Sequence, residues 1–587
     1  MTTVNYPDDS IFRSEFREGM RVDWDVPIPM DDGVVLRANV YRPDDEGKYP
    51  VIMSHGPYGK DLHFEEIYKT CWDLMCENHP DVPAGSTNIH QSWEVADPEK
   101  WVPHGYVIIR VDSRGAGRSP GYLEHFGPRE NQDFFDCIEW AGVQPWSNGK
   151  VGLSGISYYA VNQWSVAAMG PKHLAAICPW EGFNDFYREL SYHGGIYSSF
   201  QRHWYDKQIM PIQHGYGDRG FKSRANGELA AGPETLSDEE LKKNRFDLHG
   251  EFSSHPFDDE YYAARTPDLS KITVPVLSCA NWGGAPLHPR GNFNGYMHSS
   301  SEKKWLEVHG LEHWSLYYTD YGNDLQKRFF DCFLKGDDSG WKDQPRVSLN
   351  VRSEGEKFYL RGEEDWPIPR TEWTKFYLKS DGHLLSPQEQ VGEENISYKS
   401  TGDGVTFVSN PMEKDTEFCG PIASKIWISS DTKDADLFLV VRVFTPDFKE
   451  VVFHGALDPH TPVASGWLRA SHRALDKDRS TEWAPFHTHK KAEPLTPGEI
   501  YELDIEIHAS GMVIPEGYRV ALSIRGRDYV YPGEPDAGLS NMKNQFTGVG
   551  PFLHDDLDNR PEDVFDNQVT IHIGPDRPSY LLLPIVN

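Results

Sequence analysis

A chain of 587 residues holds three or four domains at about 150 residues each, and the patterning described below points to fewer, larger ones. With 38% hydrophobic, 13% aromatic and 25% charged residues it can bury a substantial core, which excludes disorder, collagen and coiled coil. Its 58 Lys and Arg stand against 90 Asp and Glu, a net charge of −32, so its field repels phosphates and anionic lipid and argues against nucleic-acid or membrane partners.

No apolar run approaches the roughly 18 to 20 residues needed to span a bilayer, and residues 1–20 lack the apolar centre of a signal peptide. The expected setting is cytoplasmic. Cys71, Cys76, Cys137, Cys178, Cys279, Cys332 and Cys419 are too scattered to staple the chain and are read as reduced structural thiols. Cys71 and Cys76 have no second Cys/His pair at zinc-site distance. His487 and His489 form a His-x-His pair whose neighbours Lys490 and Lys491 would repel a cation, so a surface loop is expected and no metal. Asn395-Ile396-Ser397 is a glycosylation sequon that matters only in a secreted chain.

From residue 34 to about 340 short β-branched runs alternate with amphipathic helical stretches, which predicts a largely parallel sheet covered on both faces. The runs are Val34 to Tyr41, Tyr49 to Ser54, Tyr106 to Val111, Lys150 to Gly155, Leu174 to Cys178, Val274 to Cys279 and Trp305 to Val308. Between the third and fourth, Phe134, Ile138 and Ala141 fall at helical spacing in a crossover helix over Asn131 to Trp146. Residues 59–104 and 182–270 break the alternation. The second, rich in Tyr, Phe, His and Arg, reads as a cap; the first is either an active-site insertion or a surface excursion. After Gly336-Asp337-Asp338-Ser339-Gly340 the pattern turns to short alternating strands, among them Val347 to Arg352, Lys425 to Ser429, Leu437 to Phe444, Tyr501 to His508 and Arg519 to Ile524, which suggests a β-sandwich or jelly roll. The expected division is 1–181 with 271–340 as the core, 182–270 as the cap and 341–587 as the β domain.

Four Gly-x-Ser copies occur, at Gly117–Ser119, Gly152–Ser154, Gly155–Ser157 and Gly538–Ser540. Only Gly155-Ile156-Ser157 lies where a strand ends and a helix, Tyr159 to Met169, begins. That is the setting of a nucleophile elbow, which lifts a serine oxygen above the sheet; an ordinary helix cap is the bland alternative. Gly155 and Ala160 are small enough for the turn to close. Serine needs a base and the base an orienting group. Of two candidates after the last core strand, His309 sits at the strand end and His313 four residues into the loop, with room to reach inward; His313 is favoured. An oxyanion needs preplaced donors: the Tyr158 amide by position, and the loop Ser54 to Lys60 for the other, where Tyr58 is either a hydroxyl donor or a core tyrosine.

Gly56-Pro57-Tyr58-Gly59-Lys60, Asp112-Ser113-Arg114-Gly115-Ala116-Gly117-Arg118-Ser119, Gly155-Ile156-Ser157-Tyr158-Tyr159 and Leu468-Arg469-Ala470-Ser471-His472-Arg473 together resemble the CocE/NonD family, the cocaine esterase and X-Pro dipeptidyl-peptidase hydrolases. The resemblance implies an α/β fold: an α/β-hydrolase core with a helical cap insertion, followed by an all-β C-terminal jelly-roll domain. It also implies serine acyl-enzyme chemistry without metal or cofactor, with Ser157 as nucleophile, His313 as base, and the Tyr58 hydroxyl and Tyr158 amide as oxyanion donors; family habit allows a homodimer.

One position departs from that pattern. Where the family places its triad Asp, this chain reads Ala280-Asn281-Trp282-Gly283-Gly284, with Gly284 at the acid position, and losing that carboxylate costs around ten-thousandfold. Glu181, directly after the strand that follows the elbow helix, is the best substitute; Glu312 and Asp185 are the others. Glu181 has two rival readings, an anchor for a substrate ammonium and a salt bridge to Arg188. The expected activity is hydrolysis of a small-molecule carboxylic ester, with X-Pro peptidase, amidase or acyltransferase chemistry as alternatives on the same residues, and a ligand-binding protein with an impaired triad as the non-enzyme alternative. The aromatic run Trp180, Phe183, Phe186, Tyr187, Tyr192, Tyr197, Phe200, Trp204 suggests a bulky apolar substrate group or plain core packing.

Overall fold

The computed structural model describes residues 11–533 and 547–587; the Gly538–Ser540 copy lies outside them. Nine strands form the first sheet, in the spatial order Arg13–Arg17, Met20–Pro29, Val35–Arg42, Val107–Asp112, Tyr49–Gly56, Ser147–Ile156, Leu174–Trp180, Val276–Asn281, Lys304–His309. The first three pair antiparallel, Val35–Arg42 is antiparallel to Val107–Asp112, and from there every pairing is parallel. All seven runs expected from the sequence are strands of this sheet.

Val107–Asp112 and Val276–Asn281 are buried along their whole length, and Ser147–Ile156 and Leu174–Trp180 over residues 151–156 and 176–180, as a parallel sheet covered on both faces requires. The crossover helix spans Pro128–Gly142, starting and ending earlier than its periodicity suggests because Ser147 already begins the next strand. Phe134, Ile138 and Ala141 are buried against the sheet as expected. Strand Met20–Pro29 went unread: it carries two prolines and two aspartates, Asp23 and Asp25, buried in ion pairs with Arg42 and with Lys60 and Arg118.

Residues 59–104 contribute the short helices Phe64–Ile67, Lys69–Asn78 and Pro98–Trp101. Within 182–270 the described α-helices are brief, among them Phe200–Trp204, Asp238–Lys243 and Leu248–Ser254. Beyond residue 340 the chain is dominated by antiparallel strands. Thr416–Ser430 pairs with Tyr501–Ile514, Gln568–Ile573 and Tyr580–Val586, while Asp436–Phe444 pairs with Ala464–Arg469 and Arg519–Arg525. Alternate residues Leu437, Leu439, Val441 and Val443 turn into one apolar core with Ile426, Ile505 and Leu522. The first strand of this region, Val347–Ser353, hydrogen-bonds in parallel to Lys304–His309, with Leu306 opposite Val347, so pairing continues from one part of the chain to the other.

Two sequence motifs act as clamps. Asp112 accepts from the Lys60 and Arg118 amides at 2.8 and 2.9 Å, and a Cβ on Gly117 would lie 2.2 Å from its carboxyl carbon. Arg469 grips Asp436 through two bonds of 2.8 and 2.9 Å, and its amide donates to the Gly194 carbonyl at 2.9 Å, which docks the β region on the 182–270 segment. His487 and His489 are buried, contrary to the surface loop expected from the flanking lysines. The Arg188 guanidinium donates to the His487 carbonyl at 2.7 Å and the His489 ring meets His472, while Lys490 and Lys491 are exposed and turn to Asp258 and Glu493. Among the described residues no cluster of three or more His, Cys, Asp or Glu could hold a metal ion, and no helix is long and apolar enough to cross a membrane.

Candidate active site

Ser157 stands between the end of strand Ser147–Ile156 and helix Tyr158–Met169, with φ 55° and ψ −115°. Such a backbone costs a non-glycine residue about 1–3 kcal/mol and persists only where its surroundings over-determine it. They do here. The Ser157 amide donates to the Trp180 and Glu181 carbonyls, both at 3.1 Å, the Ile156 amide donates to the Glu94 carbonyl at 3.0 Å, and the Ser157 carbonyl accepts from Ala160 and Val161 at 2.8 Å. A Cβ on Gly155 would come 2.4 Å from Tyr159 Cβ, and one on Gly182 2.7 Å from Ala160 Cβ, so the small residues are a steric requirement. Glu94 and Glu181, whose carbonyls brace the turn, themselves have positive φ, 60° and 53°.

Glu181 meets His313. Its Oε2 lies 2.7 Å from His313 Nδ1; its Oε1 lies 3.1 Å from His309 Nε2 and 3.2 Å from Asn281 Nδ2. Arg188 pairs instead with Asp185 and Asp258, and Glu312 accepts from the Ser315 hydroxyl, so neither rival reaches the imidazole. Burial alone would raise the Glu181 pKa, but His313 and His309 outweigh it and hold the carboxylate down at about 2. Gly284 faces the same spot: a Cβ there would lie 3.5 Å from Glu181 Oε2. The carboxylate thus arrives at the His313 imidazole from the strand Leu174–Trp180 side, next to where a residue-284 side chain would stand.

Two further residues complete the cluster, and neither was singled out from the sequence. His288 Nε2 lies 3.1 Å from Ser157 Oγ, and Glu94 Oε1 lies 3.2 Å from His313 Nε2. The loop 59–104 therefore shapes the site. His313 is bracketed by two carboxylates. Burial opposes the charged ring, but Glu181 and Glu94 overcome it and lift its pKa to about 10. Burial drives Glu94 up to about 7 despite His313, and its Oε2 has no hydrogen-bond partner among the described residues. Burial and the neighbouring His313 push His288 well below its ordinary value. A local signal for either was slight: Glu94 follows a tryptophan in a loop, and His288 lies in Leu287-His288-Pro289 four residues past Gly284.

The cavity over Ser157 draws on every part of the chain. Tyr58, Trp93 and Glu94 come from the first loops, Phe183, Phe200 and Trp204 from the 182–270 segment, His288 and His313 from the last core turns, and Leu457 and Phe552 from the β region. Tyr58 is buried, and its hydroxyl oxygen accepts from Trp204 Nε1 at 2.8 Å, leaving its own proton free to point elsewhere. The Tyr158 amide is in the first turn of its helix, where an amide lacks an intrahelical acceptor, while the Tyr158 hydroxyl is tied to Glu130 at 2.7 Å. Of the aromatic run, Phe183, Phe200 and Trp204 face the cavity; Trp180, Tyr187 and Tyr192 are fully buried packing.

The chain is similar to known proteins over nearly its whole length. Residues 32–315 match the family model for X-Pro dipeptidyl-peptidase (S15 family), and residues 339–582 match that for the X-Pro dipeptidyl-peptidase C-terminal non-catalytic domain. A crystal structure of a CocE/NonD family hydrolase from Staphylococcus aureus shares 32% identity with a TM-score of 0.83, covering 97% of this chain and 94% of that one. The cocaine esterase of Rhodococcus sp. is 25% identical over 96% of this chain and 98% of its own length. A putative Xaa-Pro dipeptidyl-peptidase of Bacillus anthracis is 20% identical over 89% of this chain and 85% of its own.

Proposed function

Because this chain belongs to the CocE/NonD family of hydrolases, which act on ester or peptide bonds, we propose that it is a serine esterase working through a Ser157, His313, Glu181 triad. The first sheet is then the core of an α/β-hydrolase, residues 182–270 its cap, and the strands after 340 a jelly roll. Ser157 attacks the acyl carbonyl, and His313 takes its proton and returns it to the leaving alcohol. Glu181 holds the imidazole, and the Tyr58 hydroxyl and Tyr158 amide receive the oxyanion. Water then repeats the sequence to free the acid.

The observation that carries this reading is the 2.7 Å contact between Glu181 Oε2 and His313 Nδ1, at a base that shares its cavity with an elbow serine. It also weighs toward ester over aminopeptidase chemistry, since both Glu181 oxygens are engaged by His313, His309 and Asn281 and the residue is poorly placed to anchor a substrate ammonium as well. One feature favours the second reading, an X-Pro dipeptidyl-peptidase: the Glu94 carboxylate lines the cavity with Oε2 unpartnered among the described residues. Turnover of a short-chain p-nitrophenyl ester and of an X-Pro p-nitroanilide, each with wild type and Ser157→Ala, decides. The esterase reading expects ester turnover lost in Ser157→Ala and little anilide turnover; anilide turnover dominating would favour the peptidase, and ester turnover persisting in the variant would refute both.

A further inference from the structure

His288 is the imidazole that touches Ser157, yet it is built unlike a base. A catalytic base holds a carboxylate or carbonyl on Nδ1 so that the imidazolium it becomes is stabilised. His288 Nδ1 is buried with no hydrogen-bond partner among the described residues. The residue is the N-cap of helix Pro289–His298, its ring making no capping bond, at the positive end of the helix dipole, which disfavours a cation. Its faces are covered by Phe183, nearly parallel at 12° with centroids 5.8 Å apart, and by His313, at 6° and 5.1 Å. Burial among these rings and the neighbouring His313 favour the uncharged ring over the opposing pull of Glu181. A neutral imidazole carries a single N–H, and a buried N–H without an acceptor is rarer and costlier than a buried lone pair. The proton therefore belongs on Nε2, aimed at Ser157 Oγ 3.1 Å away.

Resting on the reading of Ser157 as the nucleophile, we propose that His288 is a second catalytic imidazole that stays uncharged, donating its Nε2–H to Ser157 Oγ and stabilising that oxygen as it leaves the acyl carbon during deacylation. In that step water adds to the acyl carbonyl and passes its proton to His313. The tetrahedral oxyanion then re-forms the C=O double bond, the C–Oγ bond breaks with its electron pair on Oγ, and His313 returns the proton to Oγ. The Nε2–H of His288 is not transferred; it lowers the energy of the departing alkoxide. In acylation the same donor leaves Ser157's own proton free for the base. A neutral histidine held at a helix N-terminus as a hydrogen-bond donor is a recognised catalytic device.

The test is stopped-flow hydrolysis of p-nitrophenyl butyrate by full-length wild type, His288→Gln and His288→Leu, with the acyl-enzyme trapped by acid quench and weighed. Glutamine keeps a donor near the Nε2 position but cannot act as a base. The expected result is that His288→Leu slows deacylation by about a hundredfold, with butyryl-Ser157 accumulating and the burst rate changed far less, while His288→Gln keeps deacylation within about tenfold of wild type. Loss of the burst in both variants would make His288 the base, and deacylation unchanged in His288→Leu would deny it any role; either result overturns the proposal. Should the leucine variant fold poorly by its thermal melt, the glutamine variant decides alone, because a general base replaced by glutamine loses the burst and a neutral donor does not. Fluorophosphonate labelling of wild-type Ser157, run alongside, separates failure of this proposal from failure of the serine-hydrolase reading.

Discussion

The rings of His288 and His313 lie face to face, 5.1 Å between centroids and 6° from parallel, one bonded to Ser157 and the other to Glu181. The stack puts two imidazoles of opposite character above one serine. His313 is held towards the charged state by carboxylates at both nitrogens, and His288 is held neutral by burial and by its neighbour. For His313 to accept the serine proton, its Nε2 must exchange Glu94 for Ser157 Oγ.

That exchange predicts an unusual pH profile. A base must be deprotonated to act, so the acid limb of kcat/KM is expected above the ordinary histidine value, since His313 is raised towards about 10. Glu94→Gln removes one of the two carboxylates that favour the imidazolium, which lowers the His313 pKa and frees Nε2. The midpoint of the limb should then move down by about one pH unit, with higher kcat/KM at neutral pH. An unmoved limb would show that Glu94 does not act on His313 in solution.

Glu181 occupies the place that a side chain at Gly284 would share. Glu181→Gln should lower kcat by a factor of about a thousand or more, whereas Glu312→Gln, which alters a carboxylate bound to Ser315, should leave turnover nearly unchanged. A Cβ at 284 would lie 3.5 Å from Glu181 Oε2, so Gly284→Asp places a second carboxylate near the same imidazole. Added to Glu181→Gln it should recover about tenfold or more of the lost activity; added to wild type it should lower activity through like-charge crowding. Steady-state kinetics on the four variants checks each outcome.

Tyr58 can serve an oxyanion because Trp204 Nε1 already donates to its oxygen at 2.8 Å. Tyr58→Phe should cost about a hundredfold in kcat with KM little changed. Trp204→Phe removes the bond that orients the hydroxyl while keeping an aromatic ring in the cavity wall and should cost less, and the double variant should lose little more than Tyr58→Phe alone, since both act mainly through one donor. Additive losses would place Trp204 in a separate role.

The sheet was legible because its strands are β-branched runs buried on both faces, and Ser157 because strand, tight turn and helix meet there in consecutive residues. The contact of Glu181 with His313 was legible for a positional reason: Glu181 follows a strand next to the elbow, beside a glycine at 284 that has no side chain to reach that imidazole. His288 and Glu94 were not. Each is an isolated residue in a loop, brought to Ser157 by cap and turn geometry from 131 residues downstream and from an insertion whose role the sequence left open. Strand Met20–Pro29 hid for the opposite reason, since its prolines and aspartates mask a buried strand whose charges are satisfied only in three dimensions by Arg42, Lys60 and Arg118. His487 and His489 are buried although lysines follow them, because those lysines mark only the outer edge of their segment.

Covalent capture tests the central claim most directly. Incubation of the full-length protein with a fluorophosphonate, followed by peptide mass spectrometry, should give a single adduct on Ser157, formed faster in wild type than in His313→Ala and absent in Ser157→Ala. An adduct on another residue, or ester hydrolysis continuing in Ser157→Ala with no adduct at all, would contradict the account.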